Sequence, residues 1–202
     1  MTSDFKLVYK VLNLQIEEVE IVHLLDTNEL TDDAIIITDK RPNTPRRYRS
    51  LRLHRNMTRY QLKKHILQFV QQDTPAWDVI FGIDPGVNIG LAVLYDETVL
   101  DTTIVLSLDS TMKWIRSHLQ SLKPQKCLIR VGDGVKQQLL IILDRLDKEF
   151  SERIVIEIID ETNSSIKSTN KTTIHEQSAI IIAKRSGIVY HRDSYGLTGN
   201  GE

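Results

Sequence analysis

Apolar residues along the chain recur at two spacings, which predict where strands and helices lie. Short, nearly continuous apolar runs predict strands at 79–84, 90–95, 98–106, 127–131 and 154–159. Apolar residues three and four positions apart predict helices at 109–122, 135–150 and 172–186. The order β-β-β-α-β-α-β-α favours three antiparallel strands followed by parallel crossovers. We therefore predict an α/β domain with a mixed five-stranded sheet.

The residues before Pro75 follow a different pattern, which predicts a small N-terminal α+β extension. A helix is predicted at 5–14, and strands at 19–24 and 34–38. Pro42 and Pro45 interrupt the pattern, and Thr58 with Gln61 forms a capping box for a helix that runs to about Gln72. The predicted organisation is an acidic segment (1–40), a basic linker and helix (41–75), the α/β domain (76–188) and a flexible tail (189–202).

The net charge of -1 conceals an uneven distribution of charge. Residues 1–39 carry nine acidic and two basic side chains, whereas residues 40–64 carry ten basic and no acidic ones. A basic block of this kind favours contact with the phosphate backbone of nucleic acid. It equally fits a solvated linker or a partner for the acidic first segment. The candidate nucleic-acid-binding residues are Arg46, Arg47, Arg49, Arg52, Arg55, Arg59 and Lys63.

The composition excludes several classes of protein. With 41% hydrophobic and 26% charged residues, the chain is typical of a globular protein. No apolar run approaches the roughly 20 residues that a membrane span needs, and the first residues lack a signal-peptide pattern. The single cysteine, Cys127, cannot form an internal disulfide and favours a reducing, cytoplasmic setting.

Several acidic residues follow the predicted strands of the α/β domain. Asp84 ends the first strand, Asp133 follows the fourth, and Asp160 and Glu161 close the fifth, while His175 begins the last helix. If strands one, four and five are parallel neighbours, these groups meet at one carboxyl edge of the sheet. A cluster of carboxylates recruits protons or a divalent cation, and oxygen ligands favour Mg²⁺ or Mn²⁺.

Four segments resemble RuvC-type Holliday-junction resolvases and their YqgF relatives. They are Gly82-Ile83-Asp84-Pro85-Gly86 with Gly90-Leu91-Ala92-Val93, then Val131-Gly132-Asp133, then Ile159-Asp160-Glu161-Thr162 with Ser164-Ser165, and His175-Glu176-Gln177-Ser178-Ala179. The resemblance covers about residues 77–187. It implies a ribonuclease H-like fold and hydrolysis of phosphodiesters in structured DNA or RNA, with Mg²⁺ or Mn²⁺ as cofactor. Because such resolvases act as dimers, it also implies a homodimer, although no sequence pattern identifies a dimer face.

The resemblance also implies roles for individual residues. Asp84, Glu161 and Asp133 match or lie near acids that bind the metal, and His175 matches a position that ligates metal or takes a proton from water. Asp133 also fits an ordinary Asp-Gly turn, and His175 a structural residue at a helix start. The sequence departs from the family pattern where Ser178 occupies the position of the last aspartate. A second departure is Thr162-Asn163, which leaves the motif's arginine position uncharged.

Three functions therefore compete. The first is a metal-dependent nuclease that uses Asp84, Glu161, Asp133 and His175. The second is a catalytically inactive nucleic-acid-binding module of the same fold. The third is a phosphate-binding protein, because Asp84-x-Gly86 with Gly90-x-Ala92 also resembles the phosphate hairpin of actin-like and sugar-kinase ATPases. Those ATPases need a second large lobe, which 202 residues do not supply.

Overall fold

The computed structural model describes residues 35–38, 49–54, 56–70, 75–150, 154–161 and 171–191. The predicted helix at 5–14, the predicted strand at 19–24 and most of the predicted tail lie outside these residues. The chain divides into two compact units between Thr74 and Pro75. In the described part, no helix combines the length and the apolar character needed to cross a membrane.

The first unit contains two short strands and one helix in its described residues. Strand β1 (Ile35–Thr38) pairs in parallel with β2 (Arg49–Arg52), and helix α1 spans Arg59–Val70. The Thr58 N–H donates to Gln61 Oε1 at 2.7 Å, and the Gln61 N–H donates to Thr58 Oγ1 at 3.3 Å. These two bonds confirm the predicted capping box. Within the predicted basic linker and helix (41–75), Arg49–Arg52 pair with β1 and form a strand that the sequence pattern did not predict.

The second unit is built on one six-stranded mixed sheet. Its strands are β3 (Val79–Asp84), β4 (Ile89–Tyr95), β5 (Thr98–Val105), β6 (Cys127–Gly132), β7 (Val155–Ile159) and β8 (Ile188–Val189). Their order across the sheet is β5-β4-β3-β6-β7-β8. Strands β3, β6 and β7 are parallel neighbours, whereas β4 pairs with β3 and β5 in antiparallel fashion. The α/β class and the five predicted strands are confirmed, and β8 is an additional sixth strand.

In the described part of this unit, three helices accompany the sheet: α2 (Leu108–Leu122), α3 (Lys136–Phe150) and α4 (Lys171–Lys184). The Phe81 ring on β3 meets the Trp114 ring of α2 edge-on, with centroids 5.8 Å apart. The next residue, Gly82, lies against Ala179 and Ala183 of α4. Because successive residues of a strand face opposite sides of a sheet, α2 and α4 cover opposite faces of β3. Both faces of β3 are therefore covered, which explains its nearly continuous burial.

The start of α2 differs from the prediction. The Ser107 side chain accepts a hydrogen bond from the Ser110 N–H and is the N-cap, whereas Asp109 lies in the first turn. Asp109 instead forms an ion pair with Arg145 of α3. The helix predicted at 109–122 therefore begins one residue earlier, at Leu108, because the Ser107 side chain caps it.

The flexible tail predicted at 189–202 begins too early, because Val189 and Tyr190 belong to the folded unit. Ile188 and Val189 pair with β7, and Tyr190 is buried with its N–H bonded to Ile156 O at 2.8 Å. Ile188 and Val189 are both exposed, so backbone hydrogen bonds rather than apolar burial hold this edge strand in place. The ordered chain therefore continues at least to Tyr190.

Candidate active site

Asp84 and His175 form a hydrogen-bonded pair at the carboxyl end of β3. His175 Nδ1 lies 3.1 Å from Asp84 Oδ2, and only 13% of the Asp84 side chain is exposed. Burial raises the pKa of Asp84 above its usual value, and the hydrogen bond and charge of His175 oppose this rise. An ionised carboxylate only accepts hydrogen bonds, so Nδ1 of His175 donates this bond to Asp84. In the neutral form of the ring, Nε2 is then an acceptor.

Glycines in β3 and β4 bring His175 to Asp84. A Cβ atom on Gly82 would lie 2.0 Å from Ala179 O, and one on Gly90 would lie 2.1 Å from His175 O. The backbone of α4 therefore rests directly on the sheet. Gly90 is the register partner of Asp84 across the β3–β4 pair. The helix turn that carries His175 thus lies beside the strand position that carries Asp84.

Glu161 is held at the ends of the two neighbouring parallel strands. The Gly134 N–H donates to Glu161 Oε1 at 3.0 Å, and a Cβ atom on Gly132 would lie 1.9 Å from the same oxygen. The Glu161 N–H in turn donates to Asp133 Oδ1 at 3.0 Å. These bonds tie the loop after β6 to the end of β7 in both directions. Asp133 therefore orients Glu161 through the backbone.

The charges at this edge influence one another. Burial raises the pKa of Glu161, and the negative charges of Asp84 and Asp133 raise it further. The Gly134 N–H and the positive charge of Arg185 act in the opposite direction. Asp84, Asp133 and Glu161 are therefore within electrostatic reach of one another, at the edge where the parallel strands end.

The structure arranges the four predicted residues as two bonded pairs. Asp84 is paired with His175, and Asp133 with Glu161. Within the described ranges, no three His, Cys, Asp or Glu side chains gather closely enough to hold a metal ion by themselves. Mg²⁺ usually takes only one or two protein carboxylates and completes its shell with water and substrate phosphate. The carboxylates of Asp84 and Glu161 fit this kind of binding in number and chemistry.

Three other acidic and polar residues of the predicted motifs have different surroundings. The Glu176 carboxylate accepts a hydrogen bond from the Thr102 hydroxyl on β5 at 2.9 Å. Asp160 is exposed, and its carbonyl oxygen accepts a hydrogen bond from Arg185 Nη1 at 3.2 Å. Ser178 is half-buried on α4. The Gly134 amide and Arg185 were not among the predicted site residues, because Gly134 is indistinguishable from a turn glycine and Arg185 lies in no motif.

The basic block belongs to the first unit and does not form one continuous helix face. Arg46, Arg47 and Arg55 lie outside the described residues, whereas Arg49 and Arg52 lie on β2, and Arg59 and Lys63 on α1. The Arg49 guanidinium donates to Phe69 O and lies 4.6 Å from the centre of the Phe69 ring. Arg49 therefore connects β2 to α1, and any role in nucleic-acid binding comes in addition to this contact.

No protein-family model matches the chain, and no curated protein matches it. The function must therefore be argued from the geometry of the edge and from the resemblance of its motifs.

Proposed function

We propose that this protein is a divalent-metal-dependent nuclease that hydrolyses phosphodiesters in structured DNA or RNA. The observation that carries the proposal is the Asp84–His175 hydrogen bond at the edge that also bears Glu161 and Asp133. Perturbed carboxylates at the end of parallel strands are typical of active sites. The mixed sheet with three parallel neighbours supports the ribonuclease H-like fold implied by the RuvC and YqgF resemblance. The same resemblance supports a homodimer, which sedimentation of the full chain tests.

In this proposal the carboxylates and the histidine have different roles. Asp84 and Glu161, with Asp133 beside them, are the residues that hold Mg²⁺ or Mn²⁺. When bound, such a cation neutralises developing charge on phosphoryl oxygens and orients the reacting groups. Asp84 both orients His175 and holds the cation in this proposal. Its Oδ2 atom accepts the hydrogen bond from His175, whereas Oδ1 receives no hydrogen bond from the described residues.

His175 is the proposed proton acceptor. Its Nδ1–H is fixed by Asp84, so Nε2 takes a proton from water as the water oxygen bonds to phosphorus. The bond between phosphorus and the leaving oxygen breaks, and solvent supplies the proton that this oxygen gains. A His175→Ala variant should lower the rate about 10²- to 10⁴-fold, the range typical of general acid–base catalysis.

The test is cleavage of labelled branched and single-stranded substrates by the purified protein in Mn²⁺. Asp84→Asn keeps the shape of the side chain but removes its charge, and we expect it to abolish cleavage. Asp144→Asn is the matched control, because Asp144 lies on α3 and pairs with Lys148 away from this edge. Equal cleavage rates for wild type and Asp84→Asn would refute the proposal.

A second candidate is a catalytically inactive nucleic-acid-binding module. It is favoured by Ser178 at the position of the last family aspartate, and by the arrangement of the described acids as pairs rather than a three-ligand group. This candidate predicts that wild type and Asp84→Asn bind the same substrates equally well and that neither cleaves them in Mn²⁺ or Mg²⁺.

A further inference from the structure

Arg185 differs from the other arginines described in the second unit. Three of them pair with carboxylates: Arg116 with Glu149, Arg130 with Glu157, and Arg145 with Asp109 and Glu149. Among the described residues, Arg185 has no carboxylate within ion-pair distance, and its side chain donates only to Asp160 O, at 3.2 Å. A guanidinium group carries five N–H donors. Most of the hydrogen-bonding capacity of Arg185 is therefore uncommitted within the described part of the chain.

The position of Arg185 places this capacity at the acidic edge. Arg185 follows the last residue of α4, and its bond to Asp160 O brings the guanidinium to the residue that precedes Glu161. The positive charge of Arg185 also lowers the pKa of Glu161, against the larger effect of burial. The side chain is partly exposed, so a ligand can reach it.

We propose that Arg185 binds a phosphate group of the nucleic acid at the edge that carries Asp84 and Glu161. Three carboxylates repel an approaching substrate phosphate, and the positive charge of a guanidinium group beside them offsets this repulsion. Arginine suits this role because its planar donors match two phosphate oxygens at once. The inference deepens the proposed function by naming a substrate contact that does not depend on the metal.

Binding measured without a divalent cation tests this contact separately from cleavage. The probe is a fluorescently labelled 20-nucleotide single strand in EDTA, and its anisotropy gives the affinity over a series of salt concentrations. Arg185→Gln should weaken binding about tenfold, in line with the loss of one charge-assisted hydrogen-bonded contact. It should also reduce the slope of log affinity against log salt by about 0.7, the value for one phosphate contact on a single strand.

Lys184→Gln is the matched control, because it makes the same charge change at the adjacent residue. Lys184 pairs with Glu97, in the turn at the end of β4 opposite to the acidic edge. The affinity of Lys184→Gln for the strand should stay within about twofold of wild type. Its slope of log affinity against log salt should stay within about 0.2 of wild type, well below the change expected for the loss of one phosphate contact. Arg185→Lys keeps the positive charge but loses the planar guanidinium donors. The slope of log affinity against log salt should therefore match wild type, while the affinity falls about threefold.

Three results would overturn the inference. They are a wild-type protein that does not bind the strand, an Arg185→Gln variant with wild-type affinity and slope, and an equal loss in Lys184→Gln. Thermal unfolding of each variant in the same buffer checks that it is folded. If Arg185→Gln does not fold, Arg185→Lys decides the question, since wild-type affinity in that variant would contradict a two-oxygen contact. Cleavage in Mn²⁺ is scored separately, so a protein that binds through Arg185 without cutting refutes only the nuclease proposal.

Discussion

Replacing Gly82 with alanine should destabilise the second unit, because α4 lies directly on this glycine. The added Cβ would lie 2.0 Å from Ala179 O and 2.8 Å from Ala183 Cβ, whereas ordinary contacts begin at 3.4 Å. The helix would have to retreat by about 1.4 Å to relieve the closer contact. The blocking atom nearest to the new Cβ is a backbone oxygen, so no side-chain rotation can make room.

Overpacking of a core typically costs about 1–3 kcal/mol, and we expect a value of about 3 kcal/mol here because backbone blocks the site. For a protein of this size, that loss lowers the melting temperature by about 6–12 °C. Urea unfolding followed by tryptophan fluorescence measures the change, because Trp114 packs edge-on against Phe81 in the adjacent position of β3. Far-UV circular dichroism should report the same midpoint.

Gly86→Ala is the control for this prediction. The nearest atom to a Cβ at Gly86 is Asn88 O at 3.2 Å, and the next is 3.9 Å away. The free energy of unfolding of this variant should stay within about 0.5 kcal/mol of wild type. If Gly82→Ala is as stable as Gly86→Ala, then α4 does not rest on β3 as described, and the account of how His175 reaches Asp84 fails with it.

Two further predictions concern buried and partly buried charges. Arg130→Met should lower the free energy of unfolding by about 3–5 kcal/mol, because it removes the ion-pair partner that lies 2.8 Å from Glu157. A double variant that also carries Glu157→Leu should recover most of this loss, which urea titrations measure. Burial raises the folded-state pKa of Glu161, so ionisation of Glu161 destabilises the folded state as the pH rises through that raised value. Glu161→Gln should therefore be more stable than wild type at neutral pH, and the difference should vanish below about pH 4.5; a difference that does not change with pH would contradict this.

The strands of the second unit could be predicted because both faces of the sheet are covered. Strand β3 has the predicted limits, since its apolar run spans positions that face α2 and positions that face α4. Strand β8 could not be predicted in the same way, because its two residues are exposed and only pairing with β7 defines it. Buried His118 was missed for a similar reason, since its contact with Asp101 on β5 depends on tertiary structure.

The edge that bears the candidate site was predictable, but the pairs within it were not. Parallel strands end at the same edge, so Asp84, Asp133 and Glu161 were expected near one another. The sequence does not show that His175 reaches Asp84, from which it is separated by 91 positions, because that contact depends on the close approach of α4 to Gly90. Nor does it show that a backbone N–H, that of Gly134, anchors Glu161.

Each carboxylate of the edge is oriented by a donor from another element. Asp84 accepts from His175 of α4, Glu161 from the Gly134 amide after β6, and Asp133 from the Glu161 amide after β7. Burial nevertheless raises the pKa of both Asp84 and Glu161, so their ionised forms lower the stability of the folded state. Stability alone would favour neutral side chains at these positions. Anchored charges that reduce stability are the pattern expected where a protein binds or transforms a ligand, which favours a functional role for this edge over a purely architectural one.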